Sequence, residues 1–237
     1  MTEQHPGERS DRSRQAESDG AVAQPAPELQ GREAEAAQSL FGDRLELAQR
    51  YVEHLASSGI VRGLIGPREA PRLWGRHVLN CAVVEALIPQ DARVADVGSG
   101  AGLPGLCLAI ARPDLELTLI EPLERRVTWL NEIVQDLQLE NVQVLRARGE
   151  QVEELPGGSA PDVVTARAVS ALGGLLDFTL PLLQGSGELL ALKGRSAQQE
   201  IDKARKQLKR HRVAQTEVLT LGSELLEEPT TVVRVVL

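Results

Sequence analysis

A glycine-dense turn at residues 96–105 constrains the fold of this chain more than any other segment. The turn has the sequence DVGSGAGLPG and directly follows the apolar residues Val94 and Ala95. An apolar strand, an acidic residue, clustered glycines and a proline-started helix occur in this order where a parallel α/β sheet forms a nucleotide pocket. Glycines let the backbone adopt positive φ and approach a ligand closely. We therefore predict an α/β fold that holds its ligand against main chain.

The pattern of apolar residues divides the chain into three parts. Residues 1–39 lack periodic apolar positions and carry a net charge of −4, half of the −8 of the whole chain, which predicts an acidic disordered tail. Residues 40–90 show helical periodicity and predict an N-terminal helical layer. Residues 91–237 alternate strands with helices and predict a ligand-binding domain. Its strands are predicted at residues 93–97, 115–121, 142–145, 162–166, 188–192, 213–221 and 231–237.

This alternation predicts a doubly wound, Rossmann-like sheet of seven strands whose last strand runs antiparallel. The two cysteines, Cys81 and Cys107, lack metal-ligand spacing, so we expect buried packing roles and no metal site. No apolar run approaches 18 residues, so we expect no membrane span. We also expect a monomer in the cytoplasm.

Two adenosine-containing cofactors are compatible with the glycine turn. Residues 100–105 match the dinucleotide pattern GxGxxG, but the pattern begins two residues later than the end of the strand requires. Asp96 at the strand end would repel a diphosphate, whereas a sulfonium and an amino group would not be repelled. Glu121 ends the second strand and is placed to accept hydrogen bonds from ribose hydroxyls of either cofactor. These residues favour S-adenosylmethionine over NAD.

Basic residues follow several of the predicted strands. Carboxyl ends of parallel strands meet at one edge of a sheet, where ligands bind, so these cations are predicted to collect beside the cofactor. They are Arg146, Arg148, Arg167, Lys193 and Arg195. Residues 193–212 carry a local charge of +6, which fits either a phosphate contact or a solvated helix face. A single arginine at a strand end is also compatible with an ordinary surface ion pair.

Five motifs resemble the ribosomal RNA small subunit methyltransferase G family, also called glucose-inhibited division protein B. The motifs are LWGRHVLN at residues 73–80, VADVGSGAGLPG at 94–105, RRVTWL at 125–130, TARA at 165–168 and ALKG at 191–194. The resemblance covers roughly residues 40–237. It implies a class I S-adenosylmethionine-dependent methyltransferase that modifies guanine N7 in the 530 loop of 16S rRNA, as naked RNA or in the small ribosomal subunit. The chain departs from the family's pattern at Asn80, Cys81 and Gly149, where we expect Asp, Ser and Ala.

The turn and the resemblance together predict which residues contact the cofactor. The turn argument contributes Asp96, Gly100 and Glu121, and the resemblance implies Gly98, Leu103, Gly149, Glu150 and Arg167.

Catalysis and RNA binding are predicted for a second set of residues. Arg167 and Lys193 are the candidates for contacting RNA phosphate or guanine O6 during the reaction. The predicted RNA-binding residues are Arg76, His77, Lys193 and Arg195, although a lone histidine such as His77 is also compatible with a structural role. Guanine N7 carries an exposed lone pair, so no general base is required. Two other functions stay open from the sequence, an NAD-dependent oxidoreductase and a non-catalytic RNA-binding module.

Overall fold

The computed structural model describes residues 21–152 and 154–237, and within these ranges seven strands form one sheet. The order across the sheet is β3-β2-β1-β4-β5-β7-β6. The first five strands pair in parallel, β7 is antiparallel to β5, and β6 is antiparallel to β7. The seven strands and the antiparallel last strand are confirmed. The strands are β1 (Arg93–Val97), β2 (Glu116–Ile120), β3 (Val142–Leu145), β4 (Val163–Arg167), β5 (Glu188–Lys193), β6 (Gln215–Leu221) and β7 (Thr230–Val236).

Helices cover both faces of the sheet, which explains why its central strands are apolar on both sides. The first face packs against α1 (Gly31–Phe41), α2 (Leu45–His54), α3 (Asn80–Ala82), α4 (Gly105–Ala111) and α5 (Glu124–Asp136). The second face packs against α6 (Leu172–Thr179), α7 (Ala197–Lys203) and α8 (Arg205–Arg210). A π-helix, Leu73–Leu79, continues directly into α3. None of the helices in the described ranges is long and apolar enough to cross a membrane.

The N-terminal helices pack directly on the glycine turn. Tyr51 in α2 is fully buried, and its hydroxyl donates a hydrogen bond to the carbonyl of Ala101 over 2.6 Å. The indole N–H of Trp129 in α5 donates to the Ser58 hydroxyl over 2.9 Å. The helical layer therefore shares a hydrophobic core with the sheet, and Tyr51 fixes the glycine turn by a hydrogen bond to its main chain.

The expected boundary of the disordered tail is wrong. The first 20 residues of the predicted tail lie outside the described residues, but residues 31–39 belong to α1. Ala36, Ala37 and Phe41 of this helix are buried. Alanines produce a weak periodic signal in a sequence, yet their small side chains allow a helix to pack closely on its neighbours. The boundary at residue 90 stays a prediction.

The basic stretch after β5 forms two short helices instead of one. The alternation of strands and helices predicts one helix over residues 197–211. This helix is interrupted at Ala204, which has φ −89° and ψ 4° and separates α7 from α8. Ala204 is buried against the second face, while the basic side chains around it are exposed. Those exposed cations are Lys203, Arg205, Lys206, Lys209, Arg210 and Arg212.

Candidate active site

Two clefts open at the carboxyl edge of the parallel strands. The first cleft, of about 870 Å³, lies at the ends of β1, β2 and β3. The second cleft, of about 1130 Å³, lies at the ends of β4 and β5 and the start of β7. Residues 168–170 line both clefts and form the dividing segment between them. The sequence-predicted residues in the first cleft are Gly98, Glu121, Arg146, Arg148, Gly149 and Glu150, and those in the second are Arg76, Arg167, Lys193 and Arg195.

The glycine turn uses the backbone conformations that its sequence predicts. Gly98, Gly100 and Gly102 have φ values of +74°, +57° and +84°. A Cβ atom on Gly98 would lie 2.7 Å from Cγ2 of Val169, which belongs to the dividing segment. Gly98 therefore permits both a left-handed turn and close approach of the dividing segment.

Substituting Gly98 with alanine is expected to destabilise the protein by about 1–2 kcal/mol and to weaken cofactor binding by about tenfold. Both the positive φ and the contact with Val169 oppose the new methyl group. Thermal unfolding and calorimetric cofactor titration measure the two effects. Gly66→Ala is the control, because Gly66 has φ −70° and a Cβ there would meet nothing within 4 Å. Equal stability of the two variants would contradict the prediction.

Asp96 does not line the first cleft, which corrects the expectation that its carboxylate faces the cofactor. Its side chain is fully buried, and Oδ1 accepts a hydrogen bond from the Thr165 hydroxyl over 3.0 Å. Oδ2 accepts from the backbone N–H of Gly105 over 3.2 Å. The parallel register places Asp96 beside Thr165, and the carboxylate lies on the face of the sheet that α4 covers rather than beyond the edge of the sheet. Asp96 thereby joins β1, β4 and the start of α4.

Burial raises the pKa of Asp96 from 3.8 to about 6, although three hydrogen bonds partly offset that rise. A carboxyl whose pKa is raised by folding stabilises the protein below its unfolded pKa, and this contribution is lost as pH rises through the folded pKa. We expect the unfolding free energy of the wild type, minus that of Asp96→Asn, to decrease by about 2 kcal/mol between pH 4 and pH 7. Denaturant titrations at several pH values measure this difference, and a constant difference would contradict it.

Glu121 is almost completely buried at the end of β2 and organises the first cleft. Oε2 accepts a hydrogen bond from the backbone N–H of Gly100 over 2.9 Å, and Oε1 accepts from that of Leu123 over 3.0 Å. The guanidinium of Arg126 lies 3.6 Å from Oε2. Each carboxylate oxygen has a second lone-pair direction, so Glu121 retains capacity for two hydroxyl donors. Gly100 therefore contributes through its hydrogen bond to Glu121 and does not line the cleft.

The remaining residues predicted for the cofactor divide between the first cleft and the core. Gly149 and Glu150 line the cleft, and a Cβ on Gly149 would lie 2.9 Å from Cγ1 of Val97. Leu103 is buried and lies outside the cleft, with its backbone N–H donating to the carbonyl of Ser99 over 3.1 Å. Its main chain closes the turn, and its contact with the cofactor stays a prediction.

Arg167 ends β4 directly before the dividing segment and lines the second cleft, and its assignment to the cofactor stays a prediction. Its Nη2 lies 2.8 Å from Nδ1 of His77, and its Nη1 lies 3.1 Å from Sγ of Cys81. Both cysteines are buried, as expected. His77 is only 8% exposed, and its Nε2 lies 2.8 Å from Glu69, so its ring is not available for stacking on RNA. The prediction of an RNA contact by His77 is therefore corrected.

Lys193 is held between the dividing segment and α7. Its Nζ donates to the carbonyl of Ser170 over 2.7 Å and lies 2.9 Å from Oε2 of Glu200. Glu200 also accepts a hydrogen bond from the backbone N–H of Leu172. Partial burial raises the pKa of Glu200, but the contact with Lys193 and the hydrogen bonds from the Leu172 N–H and Ser196 together outweigh this effect and lower the pKa below its usual value. The second cleft thus contains a preorganised ion pair next to the exposed Arg195.

Several residues in the two clefts had no role in the sequence predictions. Val169 is an apolar loop residue without any sequence signal, and Glu200 appears in the sequence only as an acid within a basic stretch. Arg126 pairs with Glu121, which the sequence left open as an ordinary ion pair. Glu227 and Glu228 place negative charge at the far rim of the second cleft.

The sheet order and the first cleft define the class of protein. A strand order of 3-2-1-4-5-7-6, with a glycine turn after β1 and an acid at the end of β2, is that of a class I S-adenosylmethionine-dependent methyltransferase. The crystal structure of M. jannaschii TYW2 in complex with AdoMet has a similar fold. The similarity has a TM-score of 0.51 at 18% identity and covers 69% of this chain and 76% of that one.

Sequence comparison identifies the family within this class. Residues 44–228 match the rRNA small subunit methyltransferase G family. Ribosomal RNA small subunit methyltransferase G of Pseudarthrobacter chlorophenolicus is 68% identical over 86% of this chain and 93% of its own length. The relative of the same name in Paenarthrobacter aurescens is 64% identical over 88% and 95%. The chain therefore belongs to the rRNA small subunit methyltransferase G family, which confirms the resemblance and S-adenosylmethionine as cofactor.

Proposed function

We propose that this chain transfers a methyl group from S-adenosylmethionine to N7 of a guanine in the 530 loop of 16S rRNA. The observation that carries the proposal is the pair of clefts that meet at the dividing segment. One cleft offers glycine main chain and the Glu121 carboxylate beside three arginines, and the other combines four cations with three glutamates. A cofactor and a polyanionic substrate can thus approach each other from opposite sides of one short segment.

The residues of the first cleft fit an adenosine-containing cofactor. The remaining lone pairs of Glu121 suit the two ribose hydroxyls. Gly98 and Gly149 let Val169 and Val97 pack closely against the main chain that lines the cleft. Glu150 lies at the end of the cleft beyond β3. When bound, S-adenosylmethionine supplies a methyl group activated by its sulfonium.

The second cleft is suited to alignment and electrostatic binding rather than to proton abstraction. Guanine N7 has a lone pair in the neutral base, so its methylation needs no deprotonation beforehand. We assign Arg167 and Lys193 to contacts with guanine O6 or with phosphate, because both cations lie in this cleft near the dividing segment. Arg76 and Arg195 are exposed at the same cleft and are assigned to RNA phosphates.

A basic surface continues the second cleft along α7 and α8. Lys203, Arg205, Lys206 and Lys209 are exposed there, and Glu200 of α7 lines the cleft itself. Arg205 pairs with Asp202, and Arg210 pairs with Asp177, so part of this charge is neutralised locally. We assign the remaining cations to the rRNA backbone outside the reacting loop, where binding depends strongly on salt.

Transfer of a radiolabelled methyl group from S-adenosylmethionine to small-subunit rRNA tests the proposal. The substrates are naked 16S rRNA, a partially assembled particle and the mature subunit, with large-subunit rRNA as the control. The expected product is a single 7-methylguanine in the 530 loop, located by chemical cleavage at the modified base. Absence of label from all three substrates, or label at another atom, would overturn the proposal. Monomeric state and cytoplasmic location stay predictions.

Family membership also bears on the two alternative functions. The relatives named as methyltransferases favour a methyltransferase over an NAD-dependent oxidoreductase. A non-catalytic RNA-binding module would not need the carboxylate of Glu121 to be held by two backbone N–H groups at the cleft. Both observations support the catalytic function.

A further inference from the structure

Three polar side chains connect the N-terminal helical layer to the end of β4. The carboxylate of Glu69 lies 2.8 Å from Nε2 of His77, and Nδ1 of the same ring lies 2.8 Å from Nη2 of Arg167. We call Glu69, His77 and Arg167 the His77 network. The network begins at the protein surface and ends with a guanidinium in the second cleft.

The chemistry of Arg167 determines the protonation state of His77 in this arrangement. A guanidinium has only N–H donors, so the ring nitrogen that faces it must present a lone pair. The proton of the neutral ring therefore resides on Nε2, where it can be donated to Glu69. A protonated ring would instead place an N–H group against the N–H of Arg167. Burial lowers the pKa of His77, and the charge of Arg167 lowers it further, in agreement with a neutral ring.

Within the described residues, the remaining hydrogen bonds of the Arg167 side chain go to the same short segment that contains His77. Nη1 contacts Sγ of Cys81 at 3.1 Å and the carbonyl of His77 at 3.5 Å, and Nη2 also contacts the carbonyl of Arg76 at 3.4 Å. All these partners belong to residues 76–81. The contact with His77 Nδ1 is the shortest of them, and of the two titratable partners, His77 and Cys81, only the histidine gains a positive charge when it takes up a proton.

We propose that Glu69 and His77 are positioning residues that hold the guanidinium of Arg167 in the second cleft for contact with the RNA substrate. The assignment of that contact rests on the proposed function. Glu69 selects the His77 tautomer, and His77 supplies the acceptor that fixes Arg167. Neither residue contacts the substrate, because His77 is buried and Glu69 lies on the other side of its ring.

Two substitutions of His77 separate its two hydrogen bonds. The amide oxygen of asparagine is the same number of bonds from Cα as Nδ1, so His77→Asn retains an acceptor for Arg167. The amide nitrogen of glutamine corresponds in the same way to Nε2, so His77→Gln retains the donor to Glu69. We expect His77→Asn to keep kcat/KM for rRNA within about threefold of the wild type and His77→Gln to lower it by at least tenfold. Calorimetry should give both variants the wild-type Kd for S-adenosylmethionine, since neither changes the first cleft.

The pH profile supplies a readout that a purely structural role would not change. Glu69 and Arg76 face His77 from the helical layer, and Arg167 faces it from β4. Protonation of His77 removes the acceptor for Arg167, so the rate at saturating S-adenosylmethionine is expected to fall on the acid side. Glu69 favours the protonated ring, and Glu69→Gln should therefore move this acid limb to lower pH. His77→Asn should lack it. Asp96 is retained in every variant, so its own titration contributes equally to all profiles.

Nitrogen NMR of the imidazole rings tests the His77 network without any substrate. The expected His77 signal, assigned by its loss in His77→Asn, is that of a neutral ring protonated on Nε2. A ring protonated on Nδ1, equal losses of kcat/KM in the two His77 variants, or an unshifted acid limb in Glu69→Gln would each overturn the inference. Wild-type protein that shows the expected NMR signal but methylates no rRNA would overturn the proposed function instead.

Discussion

Replacing Glu121 with alanine is expected to weaken the binding of S-adenosylmethionine by about 100-fold or more. The variant removes a carboxylate that is assigned to two ribose hydroxyls, and hydrogen bonds to a charged acceptor contribute roughly 1.5–3 kcal/mol each. It also leaves the backbone N–H groups of Gly100 and Leu123 without their acceptor, which loosens the glycine turn. Isothermal titration calorimetry with S-adenosylmethionine measures the change in Kd.

Glu116→Ala is the matched control for this variant. Glu116 starts the same strand that Glu121 follows, but it is exposed at the opposite edge of the sheet, so its loss should leave the Kd within about twofold. A Kd for Glu121→Ala within fivefold of the wild type would show that the assigned ribose contacts are wrong. Thermal unfolding of the variant distinguishes a loss of contacts from a loss of folded protein.

Replacing Lys193 with alanine is expected to lower kcat/KM for rRNA by about 30- to 100-fold while the Kd for S-adenosylmethionine stays within about twofold. The ammonium is assigned to guanine O6 or to phosphate in the second cleft, and a charge-assisted contact of this kind contributes about 2–3 kcal/mol. Lys193 does not line the first cleft. Methyl transfer at varied rRNA concentration, combined with cofactor calorimetry, measures the two effects separately.

The ion pair with Glu200 requires a second variant. Lys193→Ala alone leaves the carboxylate of Glu200 without its cation and so adds negative charge to the cleft. In Lys193→Ala/Glu200→Gln both charges are absent, and the loss of kcat/KM should persist if Lys193 itself contacts RNA. Full recovery in the double variant would assign the effect to Glu200. Arg93→Ala removes an exposed cation at the opposite edge of the sheet and is expected to leave kcat/KM unchanged.

Sequence patterns predicted the parts of the site that main-chain geometry determines. The glycine turn, the acid after β2 and the cations after β4 and β5 all lie at the predicted edge. Side-chain direction was predicted less well. Asp96 belongs to the predicted strand, but its carboxylate lies under the start of α4. Arg167 points toward residues that precede it by about ninety positions.

The sequence by itself determined the alternation of strands and helices, the glycine turn and the family, because each depends on local spacing or on residues in a recognisable order. Only the tertiary structure decided how the turn is used. It placed the Asp96 carboxylate between the sheet and α4, joined Glu121 to the turn, and set Val169 against Gly98 between the two clefts. These contacts join residues that are far apart in the chain. A buried polar group takes whichever partner the packing brings within hydrogen-bond distance, and local sequence does not specify that partner.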